Sequence, residues 1–151
     1  MWLFNGEEIT GLEQVPDNSI GFVYKITDLV TGKIYIGKKI FFSNRKKKLT
    51  KKEIAELPVS KGRKPTSKRV IAETDWKDYF GSSKTLLAEL KTRSKLEFRR
   101  EIIIFCYNKK QLTYWELHHQ CVNEVIIYPD KSYNDTILGK FFHKDLETSI
   151  K

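Results

Sequence analysis

A mixed α/β (α+β) fold is predicted for this chain of 151 residues by three stretches of its pattern. Residues 21–37 alternate as a strand hairpin does, residues 98–105 end in a β-branched run, and residues 112–125 carry a helical stripe. Their order predicts a hairpin, a helix, a third strand and a second helix. The length suits one domain, and 40% hydrophobic with 13% aromatic residues can supply its core.

The apolar start Trp2-Leu3-Phe4, followed by the turn signal Asn5-Gly6, predicts a short strand or hairpin ahead of the main sheet. In 21–27, Phe22, Tyr24 and Ile26 point one way and Val23, Lys25 and Thr27 the other. Asp28 to Gly32 reads as a turn. In 33–37, Ile34 and Ile36 oppose Tyr35. Alternation alone leaves open whether Tyr24 and Tyr35 face a common site. Trp76, Tyr79 and Phe80 form an aromatic cluster. Gly81-Ser82-Ser83 then caps a helix over 83–93. Gly81-Ser82-Ser83-Lys84-Thr85 lacks the upstream glycine of a nucleotide-binding loop, so capping is the preferred role. In 112–125 the stripe is Tyr114, Leu117, Cys121 and Val125, with Glu116 beside it. Asn134-Asp135 reads as a turn before an apolar tail.

The charge is unevenly placed. Arg45 to Arg69 holds eleven Lys and Arg against Glu53 and Glu56, an excess that equals the +9 of the whole chain. Pro58, Gly62 and Pro65 break regular structure there, so the expectation is a short helix near 50–57 and a mobile basic loop. A concentrated surplus of this kind suits a polyanion, because phosphate contacts release counterions. A membrane surface is disfavoured by the absence of a long apolar run or a leader-like N-terminus, and a cytoplasmic location is expected. Cys106 and Cys121 are too few for a disulfide framework and read as reduced thiols. His118 and Cys121, one helical turn apart, lack the further ligands zinc needs.

Gly21-Phe22-Val23-Tyr24, followed after ten residues by Tyr35-Ile36-Gly37, resembles the GIY-YIG nuclease family. The first motif departs at Phe22 and Val23, and the second is intact. Lys38 and Arg45 match its basic positions, Glu116 its helix-borne metal carboxylate, and Asn134 its late asparagine. The resemblance covers about 21–136. It implies a small three-stranded, antiparallel-type central sheet flanked by helices, with a core of about 20–137 and a basic insertion of about 45–75. It also implies a DNA endonuclease dependent on Mg²⁺, with Mn²⁺ as an alternative ion. The catalytic set would be Tyr24, Tyr35, Lys38, Arg45, Glu116 and Asn134.

The chemistry suits these residue types. Mg²⁺ takes oxygen ligands and keeps several waters, so Glu116 plus a substrate phosphate can hold it. Either tyrosine could position or deprotonate the attacking water, with Tyr35 the preferred candidate. Arg45 would clamp the scissile phosphate through its planar fork. Asn134 would brace the site. Lys46, Lys47, Lys48, Lys61, Arg63, Lys64, Lys68, Arg69 and Lys84 complete the expected contact with DNA, taken as double-stranded. Without the resemblance, Glu116 would read as a surface helical glutamate and the tyrosines as strand packing. One site per chain means that cutting both strands needs a dimer or two sequential events. Lys-, Ile- and Asn-rich usage fits an AT-rich phage or mobile-element genome, with homing, host-DNA degradation, restriction and repair as open roles. The rival readings are a binding module without catalysis and an RNA-associated basic protein.

Overall fold

A computed structural model describes residues 1–58 and 62–147. Its main sheet has five strands in the order β2-β1-β7-β3-β4. These are β1 Trp2–Phe4, β2 Glu7–Ile9, β3 Gly21–Asp28, β4 Ile34–Ile40 and β7 Phe98–Cys106. The three expected strands form one side of it. The N-terminal hairpin adds the other two by pairing β1 parallel to β7. That hairpin turns through Asn5 (φ 50°) and Gly6 (φ 84°), the left-handed pair a two-residue turn requires.

The expected alternation of β3 puts its two sides in two separate cores. Phe22, Tyr24 and Ile26 join Trp2, Phe41 and Trp76 on one face. Val23 joins Ile36, Cys106 and Leu112 on the other. The first face is covered by the aromatic segment 76–80 and by α2 (Lys84–Thr92), whose cap is Ser83, accepting from the Leu86 amide. The second is covered by α3 (Lys109–Val122). Buried Arg100 fixes the aromatic segment. Its Nη1 donates to the carbonyls of Lys77 (3.0 Å) and Tyr79 (2.8 Å), and its guanidinium stacks on Phe80. Burial lowers its pKa to about 10, so it stays charged at neutral pH.

Three expectations need correction. The segment expected as a mobile basic loop is largely an antiparallel ribbon. β5 (Phe42–Lys48) pairs with β6 (Ser67–Glu73), and the expected short helix is α1 (Lys51–Ala55) between them. Pro58, Gly62 and Pro65 fall in the connection, not in the strands. The stripe expected on α3 is inward only in part: Tyr114 and Cys121 are exposed, Leu117 is half-buried, Val125 is buried just beyond the end of the helix, and the buried residues of the helix itself are Leu112 and Gln120. The turn expected at Asn134-Asp135 lies instead at Leu138 (φ 58°) and Gly139 (φ 61°), between β8 (Thr136–Ile137) and β9 (Phe141–Phe142). Asn134 is buried. The chain then ends its described part in α4 (His143–Leu146). No helix among the described residues is long and apolar enough to cross a membrane.

Candidate active site

β4 is an edge strand of the main sheet, and this explains how residues on opposite faces can share a cleft. Tyr35 belongs to the face under α2. Lys38 stands across from Val23, so it points to the face under α3. Both side chains reach round the same edge. The cleft there, about 300 Å³, is lined by Tyr35, Lys38, Ser82, Glu116 and Asn134 among others. Tyr24 sits behind it, 1% exposed, with its ring centroid 6.1 Å from that of Tyr35.

The register shift between β3 and β7 leaves Ile103 of β7 as the extra residue, so Tyr24 keeps the regular alternation of β3 beside Phe22 and Ile26. Tyr24 pairs with Gly37, and the missing side chain there makes the space its phenol fills. A Cβ on Gly37 would lie 2.5 Å from the Tyr24 hydroxyl oxygen and 3.1 Å from Tyr35 Cε1. Gly37→Ala is therefore expected to cost about 1–3 kcal/mol by overpacking. It should lower the melting temperature and displace both tyrosines; an unchanged melt would show that the space is not tight. Burial raises the Tyr24 pKa well above its ordinary value, with neighbouring Tyr35 and Tyr79 adding to the effect. The Tyr35 hydroxyl lies 3.0 Å from Ser82 Oγ, at the entry to α2.

Glu116 follows Leu112 by one turn and precedes Gln120 by one, so it lies on the inward face of α3 and not beside an inward stripe. Burial raises its pKa and Lys38 opposes the shift. The Lys38 ammonium is 3.2 Å from its carboxylate and 3.1 Å from Thr113 Oγ1. A single half-buried carboxylate open to a polar cleft, with Asp135 also lining it, is a hard oxygen donor set. It fits a Mg²⁺-type cation, which needs few protein ligands.

Asn134 acts on the backbone. Its Oδ1 accepts from the Ile36 amide (2.9 Å) and its Nδ2 donates to the Ile36 carbonyl (2.8 Å). Gln120 Nε2 adds a bond to that carbonyl at 3.2 Å. The peptide between Tyr35 and Lys38 is thus held from both helix and loop.

The other expected residues lie apart. Arg45 stands exposed on β5 and outside the cleft lining. It helps to lower the pKa of Asp75, whose main cause is Lys39 at 2.6 Å. Lys46, Lys47, Lys48, Lys68 and Arg69 share the ribbon with it, Arg63 and Lys64 are exposed in the connection, and Lys84 opens α2. Lys61 lies outside the described residues. Gln120, Asp135 and Tyr79 were not singled out in the sequence. Tyr79 packs edge-on against Tyr24, ring centroids 6.1 Å apart, under the Lys39 ammonium, 3.7 Å from its ring centre; its place in the aromatic cluster was the available signal. Among the described residues no group of three or more His, Cys, Asp and Glu gathers as a metal cluster, so His118 and Cys121 find no further ligands there.

Residues 2–137 match a family model described as the GIY-YIG domain of the putative endonuclease segE. Comparison with curated proteins and with solved structures returned no match.

Proposed function

The chain belongs to this GIY-YIG endonuclease family, and on that premise we propose that it is a phosphodiester hydrolase cutting double-stranded DNA with one divalent cation per active site. The observation that carries this reading is the half-buried Glu116 carboxylate, facing the Tyr35 and Lys38 side of the cleft at the sheet edge.

Glu116 is the proposed ligand for Mg²⁺, or Mn²⁺ in its place. The cation, when bound, would neutralise charge on the scissile phosphate and acidify a water. Lys38 holds the Glu116 carboxylate in place and adds positive charge beside the phosphate. Tyr35 orients the attacking water and, in its phenolate form, takes the water's proton to become the phenol, with Ser82 Oγ beside its oxygen. Tyr24 stays neutral behind it, because burial disfavours its phenolate. Asn134 fixes the β4 peptide that separates Tyr35 from Lys38. Arg45, with Lys46 and Lys48 of the ribbon, grips backbone phosphates leading to the cleft. A single domain with one site would cut both strands as a dimer or in two events. Phage or mobile-element origin remains the compositional proposal.

Incubation with supercoiled plasmid tests the reading. Mg²⁺ is expected to support nicking or cutting, and EDTA to stop it. Binding should weaken steeply with salt, as phosphate contacts demand. Activity untouched by EDTA would sink the metal assignment. Tyr35→Phe should lose more cleavage than Tyr24→Phe, by roughly tenfold or more, in line with the worth of a positioned proton acceptor. The reverse order in single-turnover rates would move the base to Tyr24.

A further inference from the structure

The ribbon of β5 and β6 has two unlike faces. In an antiparallel pair, directly opposed residues share a face. Phe42, Asn44, Lys46 and Lys48 therefore lie with Glu73, Ile71, Arg69 and Ser67, while Ser43, Arg45 and Lys47 lie with Ala72, Val70 and Lys68. α1 attends the second face, where Glu53 pairs with Lys68 at 2.6 Å and Ser43 and Val70 are half-buried. All eight residues of the first face are exposed.

Nothing in the fold rewards that exposure. A two-stranded ribbon without a covered face is marginal by itself. Lys46 directly opposite Arg69 adds like-charge repulsion, and neither appears in an ion pair among the described residues. Ile71, 72% exposed, leaves an apolar side chain in water beside them. Glu73, at the end of the ribbon, is engaged by Trp76 and Lys77; the rest of the face, with its cations, amide, hydroxyl and isolated apolar groups, is complementary to a groove walled by phosphates and floored by base edges.

We propose that this open face lies in the major groove of duplex DNA and that Asn44 and Arg69 read base edges there. The proposal rests on the nuclease reading above. The dimensions agree: the strands of a ribbon are about 4.8 Å apart, and the major groove, about 12 Å wide, admits such a ribbon. The chemistry agrees too. Asn pairs two-fold with adenine and Arg with guanine, and apolar groups such as Ile71 meet the thymine methyl. Lys46 and Lys48 take the flanking phosphates. The A-form groove of duplex RNA is too deep and narrow for side chains to read. Only Phe41 separates β5 from β4, which carries Tyr35 and Lys38. From Lys38 to Asn44 the chain spans at most roughly 20 Å at about 3.4 Å per residue. The bases read must then lie within about one helical turn of the cut.

The test uses cleavage of a randomised duplex library by the full chain, and methylation interference with the Glu116→Ala chain so that bound DNA stays uncut. Guanine N7 methylation, in the major groove, should block binding, and adenine N3 methylation, in the minor groove, should not. Asn44→Ala and Arg69→Ala should each erase base preference at one or two positions within a turn of the cut, by roughly 5- to 150-fold. Lys48→Ala should weaken binding to all sequences alike. Unchanged preference in both reading variants, interference from N3 alone, or equal binding of duplex RNA would overturn the proposal while leaving the nuclease reading intact. A chain that neither binds nor cuts duplex DNA would overturn both.

Discussion

Glu116→Ala is expected to lower DNA cleavage by roughly a thousandfold or more, while the protein stays folded and still binds DNA. Charge stabilisation by a metal is worth several kcal/mol, and each 1.36 kcal/mol is about tenfold in rate. The stability half of the expectation follows from the sign of its pKa shift. Burial raises the Glu116 pKa, so the fold disfavours its charged form at neutral pH. Removing the carboxylate relieves that cost, and Lys38, with 37% of its side chain exposed, can be solvated. The variant should melt at or above the parent temperature. Parent-like single-turnover cleavage by this variant would remove Glu116 from the metal role, and a collapsed melt would make the loss structural.

The second large effect is on the fold. Asp28→Ala should cost about 3 kcal/mol, the lower end for breaking a buried ion pair. For a chain of this size that corresponds to a melting temperature roughly 6–12 °C lower. Asp28 is fully buried and ties three segments together. Its Oδ1 accepts from the Val30 and Thr31 amides of the β3–β4 turn. Both oxygens accept from Arg93 at the end of α2, at 2.7 and 2.8 Å. Oδ2 also accepts from the Tyr133 hydroxyl at 2.7 Å, whose pKa is pushed up to about 12 by burial and by Asp28. The Arg93 guanidinium holds the Asp28 carboxyl well below the usual carboxylate range. A depressed acid pKa contributes stability that is present above the unfolded value, near 4, and lost as pH falls below it. The melting gap between parent and variant should thus be full at pH 7 and shrink below about pH 4. A gap independent of pH would show that the loss is one of packing, not of charge.

The part of the fold legible in the sequence is the part whose faces differ. β3 and β4 alternate because each divides its residues between two cores, and Ser83 and the Asn5-Gly6 pair announce their cap and turn by local chemistry. The β5–β6 ribbon was hidden because neither face is fully buried. A strand of Asn44, Arg45, Lys46, Lys47 and Lys48 has no apolar period to read, and Lys is depleted in strands. α3 misled for the opposite reason. Its inward row is Leu112, Glu116 and Gln120, and polar groups at two of those positions shifted the apolar stripe to Tyr114 and Cys121. Pattern reasoning of this kind is expected to fail where polar residues are turned inward for a site. The turn expected at Asn134-Asp135 was misplaced, since turn preference is a property of the residue alone, whereas the bonds Asn134 makes go to Ile36, ninety-eight positions away. The motif spacing located Tyr35, Lys38 and Glu116 at one cleft, but gave no sign of Gln120 or of the depth at which Tyr24 lies.

The bonds between Asn134 and Ile36 have a consequence beyond catalysis. A strand at the margin of a sheet exposes unpaired amides and carbonyls that can recruit another chain. On β4 several of these groups are occupied by bonds from outside the sheet. Ile34 is bonded by the backbone of Lys131 and Tyr133, Ile36 by the Asn134 carboxamide, and the Ile40 carbonyl by the Thr74 hydroxyl. The opposite margin, β2, is three residues long and carries Glu7 and Glu8. Through these closures the sheet resists intermolecular strand addition, so the same asparagine that steadies the cleft also protects the folded chain against aggregation.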